Sequence, residues 1–232
     1  MPRERIAYLS AEDNWWAAGP TGPCGPDTEI FYWVGTGEPQ GNKGTHPDDW
    51  MEIWNNVFMQ FNKKADGTLE LLPAKNVDTG MGLERTLAVI NGKKTVYETD
   101  LFENTLEHIK RIVGEVHYVE RGARIIADHL RTAVHMIADG VKPSNTDRGY
   151  ILRRLIRRAI REAHKMGHED ACLAQVARDF IRLYENVYES VKNNEAVIID
   201  EISMEEAKFQ KTIKNGLREL AKLQSIGGKE AF

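Results

Sequence analysis

The stretch NVDTGMGLERT, Asn76 to Thr86, spends two glycines where a helix should be starting. Each glycine inside a helix costs roughly 0.5–1 kcal/mol relative to alanine. Residues without a Cβ at a strand end let the backbone approach a ligand closely. A helix start nearby offers free N–H groups to an anion. Arg85 would lie one turn into that helix and can fork onto phosphate oxygens. Asp78 can hold an ammonium group. Together these residues suggest a ligand with both an amine and phosphates. The same residues also fit a bulged strand-to-helix turn with a surface arginine, and local spacing leaves both open.

Outward from this stretch the chain changes texture. Residues up to about 97 are rich in glycine, proline, tryptophan and other aromatics, with short alternating runs that read as strands. Residues 27–34 (DTEIFYWV) form one such run. Residues 50–64 form a longer one, with Ile53, Val57, Met59 and Phe61 on a roughly alternating face. Residues 65–73 carry an Asp-Gly turn that can close a hairpin. The TGPCGP run, 21–26, is expected to shape a rigid loop, with Cys24 a packed thiol rather than a nucleophile.

From about residue 98 the pattern becomes helical. One helix should open at Thr99 as N-cap and close near Gly114, and others are expected over 120–140, 150–167, 170–191 and 195–225. The fold class is therefore α+β, sheet first and helices second, with domains at 1–97 and 98–232.

The helix 150–167 is strongly amphipathic. Ile151, Leu152, Leu155, Ile156, Ala159, Ile160 and Ala163 make its apolar face. Arg153, Arg154, Arg157, Arg158, Arg161 and Lys165 surround it, with Glu162 the only acid. Acids at the helical spacing that would neutralise these arginines are almost absent, so the helix is a candidate RNA-phosphate surface. The alternative is a solvated face paired to acids elsewhere. The Asp128–His129 pair of ADHLR is weak as a metal motif, and a hydrogen-bonded structural histidine is expected there.

Bulk composition bounds the function classes. The 232 residues are 41% hydrophobic and 28% charged, a globular composition, and the formal net charge of −4 argues against a wholly basic nucleic-acid binder. The two cysteines, Cys24 and Cys172, form no CxxC pair, so no zinc is expected and the thiols fit a reducing compartment. No apolar run is long enough to span a bilayer. MPRERIAYLS has no signal-peptide core, so the cytoplasm is the default location.

GMGLERT resembles motif 3 of class II aminoacyl-tRNA synthetases, and the wider pattern is similar to the alanyl-tRNA synthetases. Residues 13–33 (DNWWAAGPTGPCGPDTEIFYW), 52–62 (EIWNNVFMQFN), 77–85 (VDTGMGLER) and 138–161 (ADGVKPSNTDRGYILRRLIRRAIR) follow that family's order and approximate spacing. The resemblance covers nearly the whole chain. It implies part of the class II antiparallel sheet followed by an α-helical acceptor-stem domain. It implies ATP, Mg²⁺, alanine and the acceptor stem of an alanine tRNA as ligands and partners, and no membrane.

By the same resemblance, Arg85 would contact the ATP γ-phosphate and Gly82 would keep the turn open beside ATP. Asp78 would hold the alanine ammonium, and Val57 and Gly80 would bound the methyl pocket. Trp16 would form a wall, and Asn55 would lie beside the amino acid. Glu52, and less so Glu29, are candidate Mg²⁺ or polar-network residues. Asn145 would read a wobble pair in the acceptor stem, with Arg153, Arg154, Arg157, Arg158 and Arg161 on its phosphates. An N-cap or turn role for Asn145 is compatible with this.

The family's motifs 1 and 2 would precede residue 1. Motif 2 carries an arginine for the α-phosphate. The sheet would thereby lack central strands and leave open edges. Pro20 and Asp27 stand where relatives commonly have Asp and Cys, and Trp33 replaces a common Asp. The expected whole is an incomplete alanine–tRNA ligase, inactive alone. The other readings are a non-catalytic acceptor-stem binding module and one subunit of a split synthetase, whose partner chain supplies the missing catalytic segment.

Overall fold

The computed structural model describes residues 1–222. Backbone contacts divide the chain into two compact units, Met1–Thr99 and Asp100–Phe232. The first is built on a four-stranded antiparallel sheet and the second is helical, an α+β chain.

The sheet is a meander of β1 (Trp15–Ala17), β2 (Gly22–Trp33), β3 (Trp50–Lys63) and β4 (Leu69–Met81), in that order. The β3–β4 hairpin closes on Asp66-Gly67. Gly67 takes φ +84°, and the Asp66 carboxylate accepts from the Thr68 backbone N–H (3.0 Å) and hydroxyl (2.6 Å). Helix α1 (Leu83–Ile90) follows β4 at once, so the opening stretch is a strand end running into a helix.

Two expectations about the strands need correction. The GPCGP residues lie inside β2 and not in a loop. Two prolines in a central strand remove ladder donors, and the register slips between Cys24 and Asp27. Gly25 there is sterically required, because a Cβ would come within 1.9 Å of the Phe58 carbonyl oxygen. The second correction concerns Ile53. Ile30 pairs with Trp54 but Phe31 pairs with Glu52, so Ile53 is an extra residue and drops out of the expected alternation.

The second unit contains α2 (Glu103–Val113), α3 (Glu120–Ala138), α4 (Asp147–Lys165), α5 (Leu173–Tyr184), α6 (Glu189–Asn193) and α7 (Glu195–Leu220). Helix α3 packs against α4, α5 and α7, with Ile126, Leu130, Ile156, Phe180, Ile198 and Ile202 fully buried. Thr99 is not the N-cap of α2. Phe102 holds that position, while the Thr99 hydroxyl donates to the Val96 carbonyl (2.6 Å). Gly114 does close α2, at φ +83°. The expected helix 170–191 is two helices, broken after Tyr184, and residues 223–225 of the last expected helix lie outside the described residues. Ile151 is exposed, so it leaves the apolar face of α4.

Two neighbouring acids of α7 organise this unit. Glu206, fully buried, accepts from the backbone N–H groups of Cys172 (3.0 Å) and Leu173 (3.2 Å) and so caps α5, whose own N-cap side chain makes no such bond. Burial raises the Glu206 carboxyl above its ordinary range, and burial together with Glu206 pushes the Cys172 thiol up to about 12. Glu205 turns the other way, onto α4.

Candidate functional site

Antiparallel pairing puts directly opposite residues on one face of a sheet, and i, i+2 neighbours share that face. One row across the sheet is Asp27–Val57–Asp78 and the next is Glu29–Asn55–Gly80. Two residues on each of three strands therefore converge on a single face. The bulge at Ile53 adds Glu52, which it sets opposite Phe31 and hence on the side of Glu29. The Gly82 N–H donates to the Ile53 carbonyl (3.1 Å) and ties the start of α1 to the same bulge. Arg85, in the first turn of α1, donates through Nη1 to Glu52 Oε2 (2.6 Å) and to the Glu52 carbonyl (3.3 Å).

Val57 is buried between the two aspartates, and Asp78 is exposed. A Cβ on Gly80 would meet nothing within 4 Å, so this glycine leaves open space rather than relieving a clash. A Cβ on Gly82 would lie 3.4 Å from the Arg85 side chain. Gly82 has φ −69°, and Gly80 is not among the positive-φ glycines. Neither glycine of the opening stretch is used for left-handed backbone, and the open space lies at Gly80.

The electrostatics are those of crowded carboxylates. Glu29 is raised from 4.5 to about 7, by burial first and then by Glu52 and Asp27, with Arg85 opposing. Asp13, Glu29, Lys43, Glu52 and Arg85 line a cleft of about 390 Å³. A cation in this cleft would relieve the repulsion that burdens Glu29. Among the described residues no group of three or more His, Cys, Asp or Glu can hold a metal on its own. Glu29 and Glu52 suit an ion that takes one or two carboxylates and completes its shell from phosphates and water.

Asp27 is 8% exposed. Its Oδ1 accepts from Asn14 Nδ2 (3.4 Å) and its Oδ2 from Asn55 Nδ2 (3.3 Å). Asn55 Oδ1 is buried and has no hydrogen-bond partner. Trp16 stands on β1 opposite Gly25, 36% exposed. Cys24 is a fully buried free thiol.

In the second unit the arginines of α4 fall into two groups. Arg157 Nε donates to Glu205 Oε1 (2.6 Å), its guanidinium 4.9 Å from the Phe209 ring centroid, and Arg153 Nε lies 3.6 Å from Glu205 Oε2. The neutralising acid comes from α7 and not from α4's own i+4 positions. Arg154, Arg158, Arg161 and Lys165 are exposed, and their spacing of four, three and four residues makes one stripe. Arg154 lies against the Tyr150 ring at 5.9 Å, and Arg161 and Lys165 lie 3.5 and 3.1 Å from Glu162. Asn145 is exposed in the loop before α4, where its Oδ1 accepts from Arg153 Nη1. His129 is buried and bonded to Asp128 (2.9 Å).

Sequence reasoning passed over Asn14, the site role of Asp27, and Glu205. Asp27 carried a signal, since it stands two residues before Glu29 in a strand. Glu205 carried one too, a charge in phase with Ile198 and Ile202 on the buried side of α7. A family model described as tRNA synthetases class II (A) matches residues 1–231.

Proposed function

The chain belongs to the alanyl-tRNA synthetase family of class II aminoacyl-tRNA ligases, and from this premise we propose that its first unit binds alanine and ATP and its second an alanine-tRNA acceptor stem. The observation that carries the reading is the single sheet face gathering Asp78, Asn55, Val57 and Gly80, with Arg85 and Glu52 beside it. Asp78 takes the alanine ammonium, since a charge leaving water needs a counter-charge. Val57 bounds the methyl group over the space left open at Gly80, with Trp16 as a wall. Arg85 takes the γ-phosphate beside the opening at Gly82, exchanging part of its hold on Glu52. Glu52, with Glu29, would hold Mg²⁺, which when bound supplies charge neutralisation to the phosphates.

In the parent reaction the alanine carboxylate attacks the ATP α-phosphorus and pyrophosphate leaves. The terminal tRNA hydroxyl then takes the alanyl group from the adenylate. Positioning and charge stabilisation carry both steps, and no side-chain nucleophile is needed. A methyl pocket discriminates by only about 1–3 kcal/mol per methylene, so glycine and serine are the problem substrates.

On α4, Arg154, Arg158 and Arg161 contact stem phosphates from the exposed stripe. Arg153 and Arg157 act through their Glu205-bound positions, and Asn145 reads the wobble pair from the preceding loop. A side-chain amide can both donate and accept at base edges in the wide minor groove of A-form RNA.

Alanine-dependent ATP–pyrophosphate exchange tests the activation half. We expect no exchange from the 232 residues alone, and exchange on adding a polypeptide that carries the family's motif 2 strands. Robust exchange by the chain alone overturns the expectation of inactivity. Absence of exchange in both, with retained binding of an alanine-acceptor hairpin, would leave the second unit as an RNA-binding module.

A further inference from the structure

We propose that Asp27 is a positioning residue that presents Asn55 Oδ1 to the substrate's ammonium group. The inference rests on the reading of this sheet face as the amino-acid site, and deepens it. Asp27 is buried on β2, opposite Val57, and each of its oxygens takes one amide: Asn14 Nδ2 at 3.4 Å and Asn55 Nδ2 at 3.3 Å. A carboxylate accepts and does not donate, so both amides must turn their NH₂ groups toward it. The two ends of an Asn amide are otherwise interchangeable by a flip, and here the partner decides the orientation.

The consequence falls on the other end of Asn55. Its Oδ1 is buried without a partner, a costly state for an acceptor. Asn55 faces Gly80 across the β3–β4 ladder, beside the space that a side chain would have filled. A donor group entering that space completes the arrangement. Asp78, one row away on the same face, selects for a cationic donor. A primary ammonium has several N–H groups and can satisfy the Asp78 carboxylate and Asn55 Oδ1 together. Asn14 holds the second oxygen of Asp27 and fixes the carboxylate plane from the far side.

The test compares two ligands on the full chain by calorimetry. One is the alanyl sulfamoyl analogue of the adenylate, and the other is its propanoyl counterpart, which lacks only the amine. Asp27→Asn lets the new amide face Asn55 either way and releases the flip. We expect it to lose affinity for the alanyl compound about tenfold or more and to change the propanoyl compound less than about twofold. Asn55→Ala should show the same selective loss, and adding Asp27→Asn to it should cost nothing further. Asp27→Ser is the second variant if Asp27→Asn fails to fold, and is read the same way. The Asn55 side-chain NH₂ resonances should also move in Asp27→Asn before any ligand is added.

Equal losses on both compounds would make Asp27 merely structural and overturn the proposal. Unaltered Asn55 resonances or an unchanged alanyl affinity would overturn it as well. Wild-type chain that binds neither compound would overturn the site reading and the proposal with it. Selective failure, with wild-type binding intact, would strike the proposal alone.

Discussion

On the site face the fold raises Glu29 from an ordinary 4.5 to about 7. The sign follows from linkage. As pH rises above about 4.5 the unfolded chain releases this proton while the folded chain still holds it, so the Glu29 contribution to stability falls up to about pH 7 and is then flat. Glu29→Gln should therefore melt higher than wild type near pH 8 and lose less stability between about pH 5 and 8, as read by circular dichroism. A bound ammonium or Mg²⁺ draws the same proton off, so cation binding should tighten as pH rises through about 7. Glu29→Gln should flatten that profile.

The candidate pair Asp78 and Arg85 could be picked out because the pattern is local, an acid and a base bracketing two glycines in eight residues of chain. Asn55 could be named, but not its tie to Asp27, because the bond spans 28 residues and two strands. No short-range pattern encodes such a pair.

At the scale of elements, the bulge at Ile53 and the turn before α4 decide most. The bulge was illegible because apolar spacing in β3 reads as plain alternation, and the extra residue is defined only by what β2 offers opposite. The break after α5 was hidden for a similar reason. Residues 184–188 contain no glycine or proline, and Tyr184 and Tyr188 instead pack edge-on against His135 of α3.

Gly149 lies in the first turn of α4 and packs against the turn before it. A Cβ there would stand 2.2 Å from Ser144 Oγ and 2.4 Å from the Lys142 carbonyl. Gly149→Ala should cost about 1–3 kcal/mol in denaturant melts and should weaken hairpin binding by displacing the loop that carries Asn145.

The two groups of arginines on α4 should separate cleanly. Arg154→Glu with Arg158→Glu, both in the exposed stripe, should leave stability nearly unchanged. The pair should weaken acceptor-hairpin binding and flatten its salt dependence. Glu205→Ala strands Arg153 and Arg157 beside a lost counter-charge and should cost about 3–5 kcal/mol of stability. An exposed-stripe pair that leaves binding and its salt slope unchanged would remove α4 as the RNA surface.

At the scale of the whole molecule, the two units differ in how they are held. Most of the buried core lies in the helical unit, whereas β4 is exposed along nearly its entire length and pairs on one side only among the described strands. Leu71 is 70% exposed. Hydrogen exchange should accordingly be fast along β4 and slowest in α3, where local opening requires the core to part. Equal protection of the two would contradict this account. The division into sheet and helices was readable from texture alone. How little of β4 would be covered was not, because burial depends on what packs over a strand and not on its own pattern.

The central claim is that one sheet face and the start of α1 form the amino-acid and nucleotide site. Backbone amide resonances, followed while the alanyl sulfamoyl adenylate analogue is titrated into the full chain, test it most directly. The account predicts shifts concentrated at residues 27–29, 52–57 and 78–85, and their loss in Asp78→Ala. A saturable titration whose shifts fall elsewhere, or no titration of these residues at millimolar ligand, would contradict it.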